Sequence, residues 1–195
     1  MNNLHEVLKF LNKVEKLKTV KRALNISDNS RKESPAEHTW RMALMAIVLQ
    51  RELKLDIDLL KSLEIILLHD VIEAVAWDVF VIDKNDKKII EEKERKEREA
   101  AEEIYSLLPE YIWVDLKNLW FEFENWSSKE ALFAKALDKI EVIIQRCDMW
   151  VKNWERDDIF DLLLHRADNS VEKFPELKDL WNLVQEELKR QKLSK

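Results

Sequence analysis

No glycine occurs in the 195 residues. Average usage of about 7% would give roughly 14 in a chain of this length. Glycine best tolerates the positive backbone angles of turns and helix ends, so other side chains must fill those places. With eight tryptophans beside it, the absence points to an engineered or otherwise altered sequence. A glycine-free coding gene in the source organism would overturn that expectation. Cysteine is almost as scarce. Cys147 alone cannot close an internal disulfide or join a thiolate metal site, which fits a reducing compartment and a small buried side chain. No apolar stretch nears the roughly 20 residues of a membrane span. The start Met1-Asn2-Asn3-Leu4-His5 lacks a secretion signal, so the expected location is cytoplasmic, with no membrane partner. A net charge of -6 argues against polymeric nucleic acid as a partner. A small phosphorylated ligand needs only one or two local cations.

What is present is amphipathic: 46% apolar and 37% charged residues describe a folded, soluble chain long enough for one domain over residues 1–195. Apolar residues recur at helical spacing, and strand-like alternation is missing. The expected fold is all-α, a bundle of six to eight helices. A first helix is expected over residues 3–23, with Val7, Leu8, Leu11, Val14 and Leu17 on one face, followed by a loop over 25–34. Ser34-Pro35-Ala36-Glu37 has the N-cap serine, first-turn proline and third-position glutamate of a helix start, which puts His38 in the first turn of a helix reaching about residue 53. A third helix is expected over about 56–75, an irregular stretch to about 85, and a charged helix over 86–108. In the last, Glu91 and Arg95, Glu92 and Lys96, and Glu94 and Arg98 stand four apart and read as a solvated face. Helices over 112–124 and 128–151 follow, then a tail with helices over 157–165 and 175–191. Trp40, Trp120 and Trp181 read as packing residues, whereas Trp126 and Trp150 fall at turn-like places.

The chemistry concentrates at His69-Asp70, at the end of the apolar run Ile65, Ile66, Leu67, Leu68. A buried imidazole and carboxylate are costly without partners. A metal ion is one such partner, and a helix cap or an ordinary hydrogen bond is another. Glu73 lies four residues after His69 and can face the same region. Asp138 has apolar Ala134 and Val142 one turn either side, so it faces inward and wants a cation, either a metal or Lys135 or Lys139. Two histidines and two carboxylates, His38, His69, Asp70 and Asp138, suit a divalent metal with positions left for water and substrate. His5 and His165 fit surface or packing roles.

These residues resemble the HD-domain metal-dependent phosphohydrolases, and within them the 5'-deoxynucleotidase branch. The resemblance lies in Leu17-Lys18-Thr19-Val20, Glu33-Ser34-Pro35-Ala36-Glu37-His38-Thr39-Trp40-Arg41, Leu68-His69-Asp70-Val71-Ile72-Glu73-Ala74, Leu119-Trp120-Phe121-Glu122-Phe123-Glu124 and Ala134-Lys135-Ala136-Leu137-Asp138-Lys139. It spans about 17–141 and fades after Cys147, which gives a metal-site core over about 17–147 and C-terminal helices over about 155–192. It implies His38, His69, Asp70 and Asp138 as ligands of one divalent ion (Mn, Co, Ni, Fe, Zn or Mg). It further implies Glu73 as the proton-handling carboxylate, Asp78 as a second acid orienting water or the leaving oxygen, and Arg22, with Lys18, as phosphate-binding cations. The implied reaction converts deoxyribonucleoside 5'-monophosphates to deoxyribonucleosides and phosphate by attack of metal-bound water. A homodimer is implied as well, and the apolar helix faces agree with it.

The chain departs from that family in two places. Trp77 stands before Asp78 where glycine is usual, and Ala23-Leu24-Asn25 replaces a glycine-tryptophan pair after Arg22. If a positive backbone angle is needed before Asp78, tryptophan adds strain of about 1 kcal/mol or more. Two other readings therefore stand beside the first: hydrolysis of another nucleotide or phosphorylated metabolite, and a metal-binding helical scaffold without turnover.

Overall fold

The computed structural model describes residues 3–76, 87–148 and 157–193. Eight α-helices account for most of them: α1 (Leu4–Val14), α2 (Pro35–Glu52), α3 (Leu59–His69), α4 (Lys87–Tyr105), α5 (Glu110–Asn125), α6 (Lys129–Asp148), α7 (Asp157–Lys173) and α8 (Lys178–Leu193). Short 3-10 turns cover Glu15–Lys18, Val71–Ala74 and Pro175–Leu177. Among the described residues the sole β feature is an isolated antiparallel bridge between Asn25 and Lys32. The all-α expectation holds.

α6 runs through the middle and packs on α2, α3, α5, α7 and α8. Its apolar face, Phe133, Leu137, Ile140 and Ile143, is fully buried with Met42 of α2, Ile65 of α3 and Phe160 of α7. A second cluster joins Leu17, Leu68, Ile72, Ile104, Tyr105 and Trp120. The C-terminal turn of α3 bridges the two, because Ile66 belongs to the first and Leu68 to the second. The His69-Asp70 pair therefore emerges at a seam between packed layers.

Local signals fix the helix entries. Ser34 and Glu37 form the expected capping box, with Ser34 N–H donating to Glu37 Oε2 at 3.0 Å and Glu37 N–H to Ser34 Oγ at 3.3 Å. Asp58 caps α3 by accepting from the Lys61 amide at 3.0 Å.

Several boundaries differ from the pattern-based expectation. α1 stops at Val14 and tightens into the 3-10 turn, and its Leu8 and Leu11 are exposed. α3 ends at His69, since Asp70 (φ -97°, ψ 3°) leaves helical geometry and the chain continues as the Val71–Ala74 3-10 turn. The Leu68 carbonyl released there accepts from the Tyr105 hydroxyl at 3.0 Å. α7 extends through Lys173 rather than ending near residue 165, because Leu163, Ala167, Val171 and Phe174 continue a buried stripe through a polar stretch. Packing overrides weak local propensity there. On α4, Glu92 meets Lys96 and Glu94 meets Arg98 as expected, but Arg95 pairs with Glu92 at 2.7 Å and Glu99 at 2.5 Å instead of Glu91. Trp120 and Trp181 are buried, whereas Trp40 is 67% exposed and is no core residue. Trp126 sits in the left-handed region at the end of α5 (φ 57°, ψ 34°). Trp150, the expected irregular stretch over 78–85 and the Trp77-Asp78 dipeptide with its supposed strain lie outside the described residues.

Candidate metal centre

Three elements bring the predicted ligands together: the first turn of α2 carries His38, the last turn of α3 carries His69, and the buried face of α6 carries Asp138. Ligand atoms of all three lie within 4.8 Å of one another. The two imidazole rings meet edge to face at 5.7 Å between centroids, and Phe123 of α5 packs on His69 at 4.9 Å.

Each imidazole has one nitrogen committed to an oxygen acceptor. His69 Nδ1 lies 2.6 Å from the Ile66 carbonyl oxygen, which can only accept, so Nδ1 carries the proton. In the neutral ring Nε2 then presents its lone pair. His38 Nδ1 lies 2.7 Å from Glu141 Oε2, and a carboxylate partner assigns the same tautomer. Both Nε2 atoms are buried without a hydrogen-bond partner, and Asp138 lies within 4.8 Å of both rings' ligand atoms, its Oδ1 3.3 Å from His38 Nε2. Two buried imidazole nitrogens that face carboxylate oxygens, His38 Nε2 towards Asp138 and His69 Nε2 towards Asp70, each oriented by a partner at the far side of its ring, fit a borderline divalent cation.

Asp70 stands at the edge of this trio. Its Oδ1 is 3.1 Å from His69 Nε2, and its Oδ2 accepts from Arg22 Nη1 at 2.9 Å. Arg22 also reaches buried Glu33 through Nε at 3.2 Å. A short antiparallel pairing sets this arginine in place: Arg22 N–H donates to the Glu33 carbonyl at 2.9 Å and Glu33 N–H to the Leu24 carbonyl at 3.0 Å. Residues 25–34, expected as plain loop, thus include one side of a small clip.

The charges interlock. Burial opposes ionisation of Asp138, but Lys139, whose Nζ is 2.6 Å from Oδ2, and His38 hold its carboxyl well below the usual range. Burial likewise opposes charge on Asp70, and His69 and Arg22 keep it ionised. Burial and the Arg22 charge disfavour a proton on His38, yet Asp138 and Glu141 outweigh them and push its pKa up to about 9. Arg22 is buried too, and Asp70, Asp138, Glu73 and Glu33 bind its proton more firmly than usual.

A cavity of about 820 Å³ opens beside the trio, lined by Arg22, His69, Asp70, Glu73 and Asp138 among others. Partly buried Glu73, on the Val71–Ala74 turn, faces it as expected. Much of the charged face of α4, including Glu92, Lys96 and Glu103, forms another wall, so that face is not merely solvated. Lys18 is not brought to the cavity: its ammonium pairs with Glu15 at 2.9 Å on the surface. Asp78 lies outside the described residues. His5 and His165 are exposed, and His165 pairs with Asn169 at 3.2 Å.

Two buried acids had escaped the sequence reading, Glu33 behind Arg22 and Glu141 behind His38. Glu141 had a visible signal, because Leu137 one turn earlier and Ile140 beside it are core residues. An acid among them implies a buried partner.

The HD-domain sequence profile matches residues 14–178. The 5'-deoxynucleotidase HDDC2 of Mus musculus is 41% identical over 140 residues, covering 71% of this chain and 67% of that protein. HDDC2 of Homo sapiens is 40% identical over 140 residues, covering 71% and 66%. The chain thus matches about two thirds of the length of these relatives. The crystal structure of a predicted metal-dependent phosphohydrolase from Magnetospirillum magnetotacticum MS-1 superposes with a TM-score of 0.79 at 28% identity, over 97% of this chain and 94% of that one. From the first 3-10 turn to the start of α8, this chain belongs to the HD-domain family.

Proposed function

We propose that the protein is a metal-dependent phosphohydrolase that converts deoxyribonucleoside 5'-monophosphates to deoxyribonucleosides and phosphate. The observation that carries the reading is the grouping of two buried imidazole nitrogens with Asp138, within 4.8 Å of one another, beside a cavity that also holds Arg22 and Glu73. The names of the 41% and 40% identical relatives narrow the substrate to 5'-deoxynucleotides.

His38, His69 and Asp138, with Asp70 at their edge, would hold one divalent ion. Such an ion supplies Lewis acidity at a phosphoryl oxygen and a nucleophilic hydroxide near neutral pH. The chain's own groups do the rest. Arg22 spends Nε on Glu33 and Nη1 on Asp70, which leaves N–H groups of the guanidinium for a phosphate oxygen. Glu73, on the cavity wall, would accept a proton from the attacking water and return it to the departing 5' oxygen. Phe123 and Ile72 line the apolar side of the cavity, which strengthens each charge contact. Asp70 has a double task, fixing Arg22 while facing His69.

A panel of phosphate-release assays tests this reading, comparing deoxyribonucleoside and ribonucleoside 5'-monophosphates, triphosphates and cyclic nucleotides with Mn or Co present. Release confined to the 5'-deoxymonophosphates is expected. Preference for another class would overturn the substrate, and no release from any of them would overturn the activity.

A homodimer in the cytoplasm completes the proposal. Exposed Trp40, Leu44 and Val48 follow one another at single-turn spacing on α2, and Leu60 and Leu67 are exposed on the adjoining α3. Apolar rows of this kind mark association surfaces. Buried, unpaired Cys147 suits a reducing compartment. Light scattering should give the mass of two chains, and of one chain for the double variant Trp40→Glu, Leu44→Glu. A monomeric wild type would overturn the assembly.

A further inference from the structure

One cation on the cavity wall has no task in the phosphate chemistry above. Arg146 lines the cavity together with Lys139 and Val142 of α6, and spacings of three and four residues put these on one stripe of the helix. The other cations of that helix are engaged, Lys139 with Asp138 at 2.6 Å, Lys135 with Glu124 at 2.9 Å and Lys129 with Glu176 at 3.6 Å. Arg146 differs. Its Nε is buried with no hydrogen-bond partner among the described residues. Burial lowers its proton affinity below the usual arginine value, and no neighbouring carboxylate offsets that. A half-buried guanidinium with an unsatisfied donor costs free energy until an acceptor reaches it.

Its position indicates which acceptor. Arg146 stands eight residues beyond Asp138, about 12 Å along the helix axis at roughly 1.5 Å per residue. Asp138, Asp70 and Arg22 occupy the phosphate end of the cavity. Apolar Val142 and Leu163 line its wall too, offering surface for a sugar and the face of a base. A cavity of about 820 Å³ lies within the range that holds small ligands. Arginine pairs well with acceptor atoms on the edge of a nucleobase, where two N–H groups meet two acceptors in one plane.

We propose that Arg146 binds the nucleobase, donating its guanidinium N–H groups to the base edge of a nucleotide whose phosphate lies at the Asp138 end. This rests on the phosphohydrolase reading and deepens it, since it makes the base, and not only the phosphate and sugar, part of what the site recognises.

The test compares phosphate release from deoxyribonucleoside 5'-monophosphates and from 2-deoxyribose 5-phosphate, which lacks a base, by the metal-loaded wild type, Arg146→Met and Arg146→Gln. Methionine keeps an apolar stem without the donors, and glutamine restores one donor group. The expected result is a KM about tenfold higher for the nucleotides in Arg146→Met, a smaller rise in Arg146→Gln, and no change in kcat. KM for 2-deoxyribose 5-phosphate stays the same throughout. Equal shifts for substrates with and without a base, or no shift for either, would overturn the assignment and leave the phosphohydrolase reading standing. Absence of phosphate release from every substrate by the wild type would overturn both.

Discussion

Glu141 Oε2 accepts the Nδ1 proton of His38 at 2.7 Å, and both side chains are fully buried. Arg41 reaches the other Glu141 oxygen at 3.5 Å and Asp148 at 2.5 Å, so a chain of ion pairs runs from the surface of α6 to the candidate metal centre. The contact fixes the His38 tautomer that points Nε2 at Asp138.

Loss of that acceptor should weaken metal binding without touching a ligand. Glu141→Leu is expected to bind Mn or Co about 10- to 100-fold more weakly by calorimetric titration. Glu141→Gln, whose amide oxygen can still accept from Nδ1, should stay much closer to wild type. Equal affinity in all three proteins would show that the contact orients nothing.

Arg22 ties two buried acids together, with Asp70 at 2.9 Å and Glu33 at 3.2 Å. Arg22→Met takes the guanidinium from both and leaves Asp70 with His69 alone, and breaking a buried pair from one side typically costs about 3–5 kcal/mol. Urea denaturation of the metal-stripped protein should show a loss of about that size. A loss under about 1 kcal/mol would mean that solvent or another cation already satisfies both acids.

The missing glycines leave side chains in left-handed geometry. Lys54 follows α2 at φ 51° and is exposed, so Lys54→Gly should relieve about 1 kcal/mol and raise Tm by roughly 2–4 °C. Trp126→Gly at φ 57° should give less, because the Trp126 ring lies 3.9 Å from the Lys173 ammonium and that contact would be lost. Differential scanning calorimetry separates the two, and a lower Tm for Lys54→Gly would refute the strain argument.

Cys147 is buried, and burial, then Asp148 and Glu187, push its thiol up to about 11. Reaction requires the thiolate. At pH 8 a thiol reagent should modify the native protein about 100-fold more slowly than the urea-unfolded chain, given the smaller thiolate fraction. Comparable rates would place the thiol in solvent.

The grouping of His38, His69 and Asp138 was legible because each member carried a local constraint. The capping box fixed the turn that holds His38, an apolar run led into His69, and Ala134 and Val142 turned Asp138 inward. What stayed hidden depended on tertiary partners. Glu33 precedes a helix cap and looks like an ordinary surface acid until the 22–33 clip folds it behind Arg22. The apolar residues of α2 include both buried Met42 and Ala46 and exposed Trp40, Leu44 and Val48, and a single sequence does not say which side meets the core. Lys18 adjoins the matching segment, but the 3-10 turn that ends α1 leaves it paired with Glu15. The second half of α7 has poor helix propensity and is held by tertiary contacts, its buried stripe and the Asp168 carboxylate, which accepts from Trp181 Nε1 at 2.7 Å and Gln185 Nε2 at 3.2 Å.

The central claim is that His38, His69 and Asp138 hold an ion without which no phosphate is released. The most direct measurement follows phosphate release from a deoxyribonucleoside 5'-monophosphate by chelator-stripped protein before and after adding Mn or Co, for wild type and Asp138→Asn. Activity should vanish on stripping, return with the ion in the wild type, and remain at least about 100-fold lower in Asp138→Asn. Full activity in the stripped protein, or equal recovery in the Asp138 variant, would contradict the account.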